Sequence, residues 1–279
     1  MAERSGQATR GRTGGWVLPH AADGGTWVVD LDGVVWLAGE PIPGAAGAVG
    51  RLRSAGAGVL FVSNNSSPTV DELLARLRRA GIEASAGEIV TSAQAAASMV
   101  SAGTRVLVVG DGGIVEALEA RGAVATPATA DADVDVDVVM VGWTRRFDFG
   151  LLALANRAVR GGARLIGTNE DPTHPTPDGL LPGAGSLLAA VSTAAGIAPE
   201  VAGKPHAPLV ALVEARAERV AAVVGDRPST DGVLARRLGV PFALVLSGVT
   251  APGSPTGDPA PDFVGDDIAA VVDAALARG

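Results

Sequence analysis

The chain contains no cysteine. Disulfides, thiolate metal sites and a cysteine nucleophile are therefore excluded, and the composition is compatible with a reducing compartment. No apolar run reaches the roughly 18 residues needed to span a bilayer, and residues 1 to 20 lack the apolar core of a secretory signal. The expectation is a cytoplasmic protein without a membrane partner. Histidine is scarce as well: His20, His174 and His206 are far apart and match no metal-protease spacing, so a bound metal is expected to be oxygen-ligated. Basic residues are outnumbered, 22 Lys and Arg against 30 Asp and Glu, for a formal net charge of −8. Nucleic-acid affinity is built on Lys and Arg neutralising phosphates, so this balance argues against a nucleic-acid partner.

What the chain does have is apolar content, 47% of 279 residues, enough for a packed core in one large or two ordinary domains. Strand-like and helix-like segments alternate along it, the pattern of an α/β protein with a largely parallel sheet. WVVD, GVLFVSNN, RVLVVG, VDVVMVG, ARLIGTN, AAVVGD and FALVLSG read as strands. Between them GAAGAVGRLRSAG, IVEALEARG, FGLLALANRAVRGG, PLVALVEARAERV, STDGVLARRLG and DIAAVVDAALARG read as helices. Thr69 with Glu72 makes a capping box ahead of Leu73, Leu74 and Leu77, and Gly81 is the stop signal. TPATADADVDVD reads as a surface loop running into a strand, TAPGSPTGDPAP as a long loop, and residues 1–20, with Arg4, Arg10 and Arg12 among small residues, as a disordered tail.

Residues 27 to 36, WVVDLDGVVW, place Asp30 and Asp32 at the end of a buried strand. Two carboxylates this close repel, and burying them is costly unless a cation or hydrogen bonds compensate. Open α/β sheets bind ligands outside the carboxyl ends of their strands. Four polar clusters fall at such ends: Asp30 with Asp32, Ser63 with Asn64 and Asn65, Lys204 in AGKPH, and Asp226 with Asp231 in VVGDRPSTDG. Each alone reads equally well as turn chemistry or a solvated side chain. Together, two acidic clusters offer a hard-cation site of the Mg2+ type, and the hydroxyl, amide and ammonium groups offer donors to an anion. The combination describes a phosphate held against a carboxylate by a divalent ion.

Two glycine-rich strings do not extend this picture. VVGDGGIVEAL follows a strand and opens a helix like a dinucleotide loop, but Val115 stands where the third glycine is needed, and PGAGSLL lacks the lysine of a phosphate-binding loop. Trp36 and Trp143 read as core residues that could border a site.

In order along the chain, DLDGV, the serine of SNN, GKP and GDRPSTD resemble the four motifs of the haloacid-dehalogenase-like phosphatases. IPGA, TNEDPTHP and PGAGSL resemble the branch holding nitrophenyl phosphatases and the glycerol-phosphate, phosphoglycolate and pyridoxal-phosphate phosphatases. The similarity spans about residues 25 to 275, and Ser229 stands where relatives often carry another acid. The resemblance implies a Rossmann-like, doubly wound parallel-sheet core of residues 21–95 and 200–279. It also implies an inserted α/β cap domain of residues 96–199.

It further implies that Asp30 is the nucleophile, forming an aspartyl phosphate. Asp32 is the acid for the leaving alkoxide and then the base for water, which requires it to carry a proton while Asp30 is ionised. Mg2+ is held by Asp30, Asp226 and the Asp32 backbone carbonyl, with Asp231 assisting. Ser63, the Asn64 amide and Lys204 bind the phosphate. The loop TNEDPTHPTPDG, with Asn169, Asp171 and His174, is the candidate reader of the leaving group, although Pro and Asp are also plain loop residues.

The expected partner is a small phosphorylated metabolite, glycerol 3-phosphate first, with phosphoglycolate or pyridoxal phosphate behind it, and a homodimer through the cap stays open. A receiver-like phosphoacceptor module is the rival from another class, though such modules lack a large inserted cap. A phosphoryl-transferring mutase would share the aspartyl phosphate.

Overall fold

In the computed structural model, residues 17–129, 131–176 and 179–277 are described. The tail expected over residues 1–20 lies outside them as far as position 16. From there the chain is packed: Leu18 is buried, and His20 Nδ1 accepts the N–H of Ala22 at the head of a short turn, Ala21–Asp23. The described residues divide into two compact units, one within 17–62, 74–89 and 210–277, the other within 63–73 and 90–209.

The first unit is organised on a six-stranded sheet whose central strand is Thr26–Asp30. Trp27, Val28 and Val29 are all buried, as a strand covered on both faces requires. The sheet runs Phe263–Gly265, Phe242–Val245, Val220–Gly225, Thr26–Asp30, Gly58–Ser63, Ile89–Thr91. Strand Thr26–Asp30 pairs in parallel with both neighbours, Val29 opposite Val224 and Asp30 opposite Val62. Followed along the chain, the strands extend first to one side of Thr26–Asp30 and then to the other. This is the doubly wound order, and it reverses between Thr26–Asp30 and Val220–Gly225, where such sheets open a crevice.

The second unit carries a five-stranded sheet in the order Glu200–Val201, Arg164–Gly167, Val138–Val141, Arg105–Val109, Val124–Pro127, parallel throughout. Helices Phe149–Arg160 and Ala184–Ala195 bury Leu154, Ala155, Val159, Leu187 and Val191 with Leu107, Val139 and Val141 of the sheet. Each of these leucine and valine side chains is worth about 1.5–3 kcal/mol on burial. Asp148 caps the first of these helices, its Oδ1 accepting the Leu151 N–H at 2.8 Å.

The expected capping box forms at helix Val70–Arg79: Thr69 Oγ1 accepts from Glu72 N–H at 3.2 Å and Glu72 Oε2 from Thr69 N–H at 2.9 Å. Losing such a cap costs about 1 kcal/mol. Three stretches differ from the sequence reading. TPAT begins inside the strand Val124–Pro127 rather than in a loop. PGAGSLL opens helix Ala184–Ala195. The loop TNEDPTHPTPDG contains the strand Thr173–Thr176, which pairs antiparallel with Gly179–Pro182, His174 opposite Leu181; its residues 177 and 178 lie outside the described ones. Among the described residues, no helix is long and apolar enough to cross a membrane.

Candidate functional site

In the first unit, Asp30 closes its strand at the reversal point, and Asp226 follows the neighbouring strand by one residue. Residues Pro228–Gly232 form a single wide helical turn, and Asp231 belongs to it. Asp30, Asp226 and Asp231 are buried and offer one carboxylate oxygen each, all within 4.8 Å of one another. Three buried like charges at that distance call for a cation. Mg2+ takes a few carboxylates together with water and phosphate oxygens, and this all-oxygen donor set fits it.

Backbone donors orient the carboxylates. Leu31 N–H donates to Asp30 Oδ1 at 2.8 Å, Arg227 N–H to Asp231 Oδ2 at 3.1 Å and Val249 N–H to Asp226 Oδ2 at 2.5 Å. Glycine makes room for Asp226 on two sides: a Cβ on Gly33 would lie 2.3 Å from Asp226 Oδ2, and one on Gly248 2.0 Å from it. Gly33 also sits at φ +87°, a left-handed conformation that only glycine adopts cheaply.

Asp32 is not one of the three. Its half-buried carboxylate accepts the indole N–H of Trp36 at 3.0 Å, and the two residues also form a backbone bridge. Trp36 is buried, as the core reading has it, but its polar edge is spent on Asp32. The available signal was the spacing, a tryptophan four residues after the aspartate with a glycine turn between them.

Ser63 ends the strand Gly58–Ser63, buried, its Oγ accepting the N–H of Asn65 at 3.0 Å. In the second unit Asn64, Asn169, Asp171 and Lys204 come together. The Asn64 side chain accepts the N–H of Lys204 at 2.7 Å and donates to the Lys204 carbonyl at 3.2 Å and to Asp171 Oδ2 at 3.0 Å. Asn169 is buried; its Nδ2 donates to the Asn64 carbonyl at 2.7 Å and its Oδ1 accepts the Asp171 N–H at 3.0 Å. The structure thus uses Asn169 as a brace inside this unit, where the sequence reading has it facing a leaving group. Lys204 is buried and is the chain's only lysine, against 21 arginines; that solitary count is the compositional signal that singles it out.

His174 is placed on the hairpin, its ring 4.5 Å from that of Trp143 between centroids and tilted by 39°. Trp143 Nε1–H donates to the Pro182 carbonyl at 2.9 Å. A cavity of about 390 Å³ opens beside Trp143, walled by Phe147, Leu181, Pro182 and Leu187, with Arg145 at its border.

The glycine-rich strings are structural. Ser67 Oγ donates to Asp111 Oδ2 at 2.6 Å and Gly113 N–H donates to the Ser67 carbonyl at 2.9 Å, so the chain's own loop fills the turn that resembles a dinucleotide site. In PGAGSL, Gly183 N–H donates to the Pro172 carbonyl at 2.8 Å and Gly185 N–H to the Asp171 carbonyl at 3.0 Å.

Residues 27–124 match the family model described as haloacid dehalogenase-like hydrolase, and residues 201–271 match one described as HAD-hydrolase-like. The chain is 39% identical over 229 residues to the D-glycerol 3-phosphate phosphatase of Mycobacterium tuberculosis, covering 80% of this chain and 63% of that protein's length. It is 34% identical to the dihydroxyacetone phosphatase of Corynebacterium glutamicum, over 81% of this chain and 82% of the relative. A crystal structure of glycerol phosphate phosphatase from Mycobacterium tuberculosis in complex with magnesium superposes with a TM-score of 0.80 at 35% identity, covering 91% of this chain and 78% of that one.

Proposed function

The chain belongs to the haloacid dehalogenase-like hydrolases, and from that premise we propose that it is a Mg2+-dependent phosphatase acting on a small organic phosphomonoester, glycerol 3-phosphate first. The observation that carries the reading is the buried triad Asp30, Asp226 and Asp231, with oxygens within 4.8 Å. A triad of that kind has no use in a purely structural strand end, where it would only destabilise. Relatives named for glycerol 3-phosphate and for dihydroxyacetone support a short polyhydroxy leaving group. Phosphoglycolate and pyridoxal phosphate rank behind it.

In this reading Asp30, held through Oδ1 by the Leu31 N–H, attacks phosphorus as the ester P–O bond breaks. The electron pair of that bond leaves on the alkoxide, which takes a proton from Asp32. Asp32 then removes a proton from water as its oxygen attacks the aspartyl phosphate, restoring Asp30 and releasing inorganic phosphate. Asp30, Asp226 and Asp231 would hold Mg2+, with the Asp32 carbonyl; the ion, when bound, offsets the mutual repulsion of the anionic nucleophile and the anionic ester. Ser63, the backbone N–H of Asn64 and Lys204 take the phosphate oxygens. Trp36 fixes the carboxylate of Asp32 so that its proton is delivered from one place.

The same proposal takes the second unit as the cap and the hairpin carrying His174 as its substrate-reading element. It places the protein in the cytoplasm, in keeping with the absence of cysteine. A homodimer through this unit is part of the same proposal. A phosphate-release assay over glycerol 3-phosphate, dihydroxyacetone phosphate, phosphoglycolate and pyridoxal phosphate, with Mg2+ and with EDTA, tests the reading. Many turnovers on a short polyol phosphate, abolished by EDTA, are expected; stoichiometric labelling without release would favour the receiver-like module instead.

A further inference from the structure

We infer that Asn64 is the positioning residue for Lys204, reading the lysine's backbone with a two-point amide clasp that is itself anchored by Asn169 and Asp171. The inference rests on the proposed phosphate-binding role of Lys204.

The geometry leaves the Asn64 side chain no spare donor. A primary amide has one carbonyl oxygen and two N–H donors. Oδ1 accepts the Lys204 N–H at 2.7 Å; one Nδ2 hydrogen goes to the Lys204 carbonyl at 3.2 Å and the other to Asp171 Oδ2 at 3.0 Å. The Lys204 N–H can only donate and the Lys204 carbonyl can only accept, so the amide has a single orientation that satisfies both. The pair imitates one rung of an antiparallel ladder, with a side chain standing in for the second strand.

The clasp is held from behind. The backbone carbonyl of Asn64 accepts from Ser92 Oγ at 2.6 Å and from Asn169 Nδ2 at 2.7 Å, and Asn169 Oδ1 in turn accepts the Asp171 N–H at 3.0 Å. Asn64, Ser92, Asn169 and Lys204 are all buried, so these bonds form away from water, where their loss leaves unsatisfied groups. Gly203 is part of the device: a Cβ there would lie 2.6 Å from Asn64 Oδ1 and 2.5 Å from the Thr168 carbonyl. Gly203 N–H also donates to that carbonyl at 2.8 Å, pinning the approach to Lys204.

Only asparagine suits the position. Aspartate keeps the acceptor for the Lys204 N–H but sets a second carboxylate oxygen against the Lys204 carbonyl and against Asp171. Serine is too short to span both backbone groups. A flexible lysine stem can place its ammonium only as accurately as its Cα is held, and a displacement of about 1 Å at a reacting site costs on the order of 10²-fold in rate. Asn64 therefore acts on catalysis through Lys204.

The sole lysine makes the test site-specific. In protein labelled with 15N and 13C at lysine only, position 204 supplies the one internal backbone amide signal and the one Cε signal. In the wild type the amide is expected to be strongly protected from exchange, and the Cε signal to shift on adding inorganic phosphate with Mg2+. In Asn64→Asp, and in Asn64→Ser should the aspartate variant not fold, amide protection and the defined phosphate-induced shift should be lost. kcat should fall by about 10²-fold, with KM moving less, and Asn64→Gln should not rescue it. A wild-type Cε signal blind to phosphate would overturn the phosphate role of Lys204. A responsive wild type whose folded Asn64 variants respond equally and turn over normally would overturn the clasp alone, as would a rapidly exchanging Lys204 amide in the wild type.

Discussion

The indole N–H of Trp36 donates to Oδ1 of Asp32 at 3.0 Å, while Asp30, two residues earlier, lies with Asp226 and Asp231. The two aspartates that share one strand end are thereby given different company. One faces carboxylates that need a cation; the other faces a neutral donor on its own turn. The two carboxylates are set in different hydrogen-bonding environments.

Trp36→Phe keeps the ring in the core and deletes the donor. A hydrogen bond to a charged or ionisable group is worth about 1.5–3 kcal/mol, so kcat should fall roughly 10- to 100-fold. Mg2+ affinity should be unchanged, because the triad is untouched. Steady-state kinetics alongside a Mg2+ titration check this; parallel losses of both would show that Trp36 is only packing.

Asp30→Asn should abolish turnover and yet raise the melting temperature of the metal-free protein, since it removes one of three buried like charges. The wild type should gain about 2.7 kcal/mol of stability at a Mg2+ concentration near 100 times its Kd. The variant should lose most of that gain. Thermal melts with Mg2+ and with EDTA decide it, and near-normal phosphatase rates in the Asp30→Asn protein would rule out Asp30 as nucleophile.

Asn169 and His174 were grouped by sequence, but the structure gives them different contacts, and their variants should differ in kind. Asn169→Ala removes a buried brace from the Asn64 carbonyl and should cost about 1–3 kcal/mol of stability, with activity falling alike on every substrate. His174→Ala removes a half-buried ring packed at a tilt against Trp143 and should reorder substrate preference at little cost in stability. A substrate panel with melting temperatures for both proteins checks the contrast.

At the strand edge leading to Lys204, the Arg164 guanidinium hydrogen-bonds Glu200 at 2.9 Å and holds its carboxyl below the usual carboxylate range. A carboxyl lowered on folding contributes stability above its unfolded pKa and loses it as pH falls through the lower folded value. Both side chains are about half exposed, so solvent limits the pair to about 0.5 kcal/mol. Glu200→Gln should cost that much at neutral pH and nothing in strong acid, by chemical denaturation at both.

Much of the molecule was legible because local chemistry and tertiary demand agree. The apolar run before Asp30 can only be a covered strand, and Thr69 with Glu72 announces a helix start that the structure builds bond for bond. The acidic triad could be foreseen because Asp30 ends one strand-like run and Asp226 follows another, with Asp231 five residues beyond it. The hairpin around His174 was hidden: Pro175 and Pro182 break the alternation of a strand, and pairing comes from the partner segment. Helix Ala184–Ala195 was masked by the Gly and Pro at its head. The bracing bond of Asn169 was not legible because its partner, the Asn64 carbonyl, is 105 residues away, beyond any spacing rule.

The central claim is most directly tested by quenching the enzyme in acid during turnover of 32P-labelled glycerol 3-phosphate with Mg2+, then locating the label. The account predicts a hydroxylamine-sensitive acyl phosphate on the peptide containing Asp30, formed and discharged over many turnovers and absent with EDTA. Sustained phosphate release with the label on another residue, or undiminished in EDTA, would contradict it.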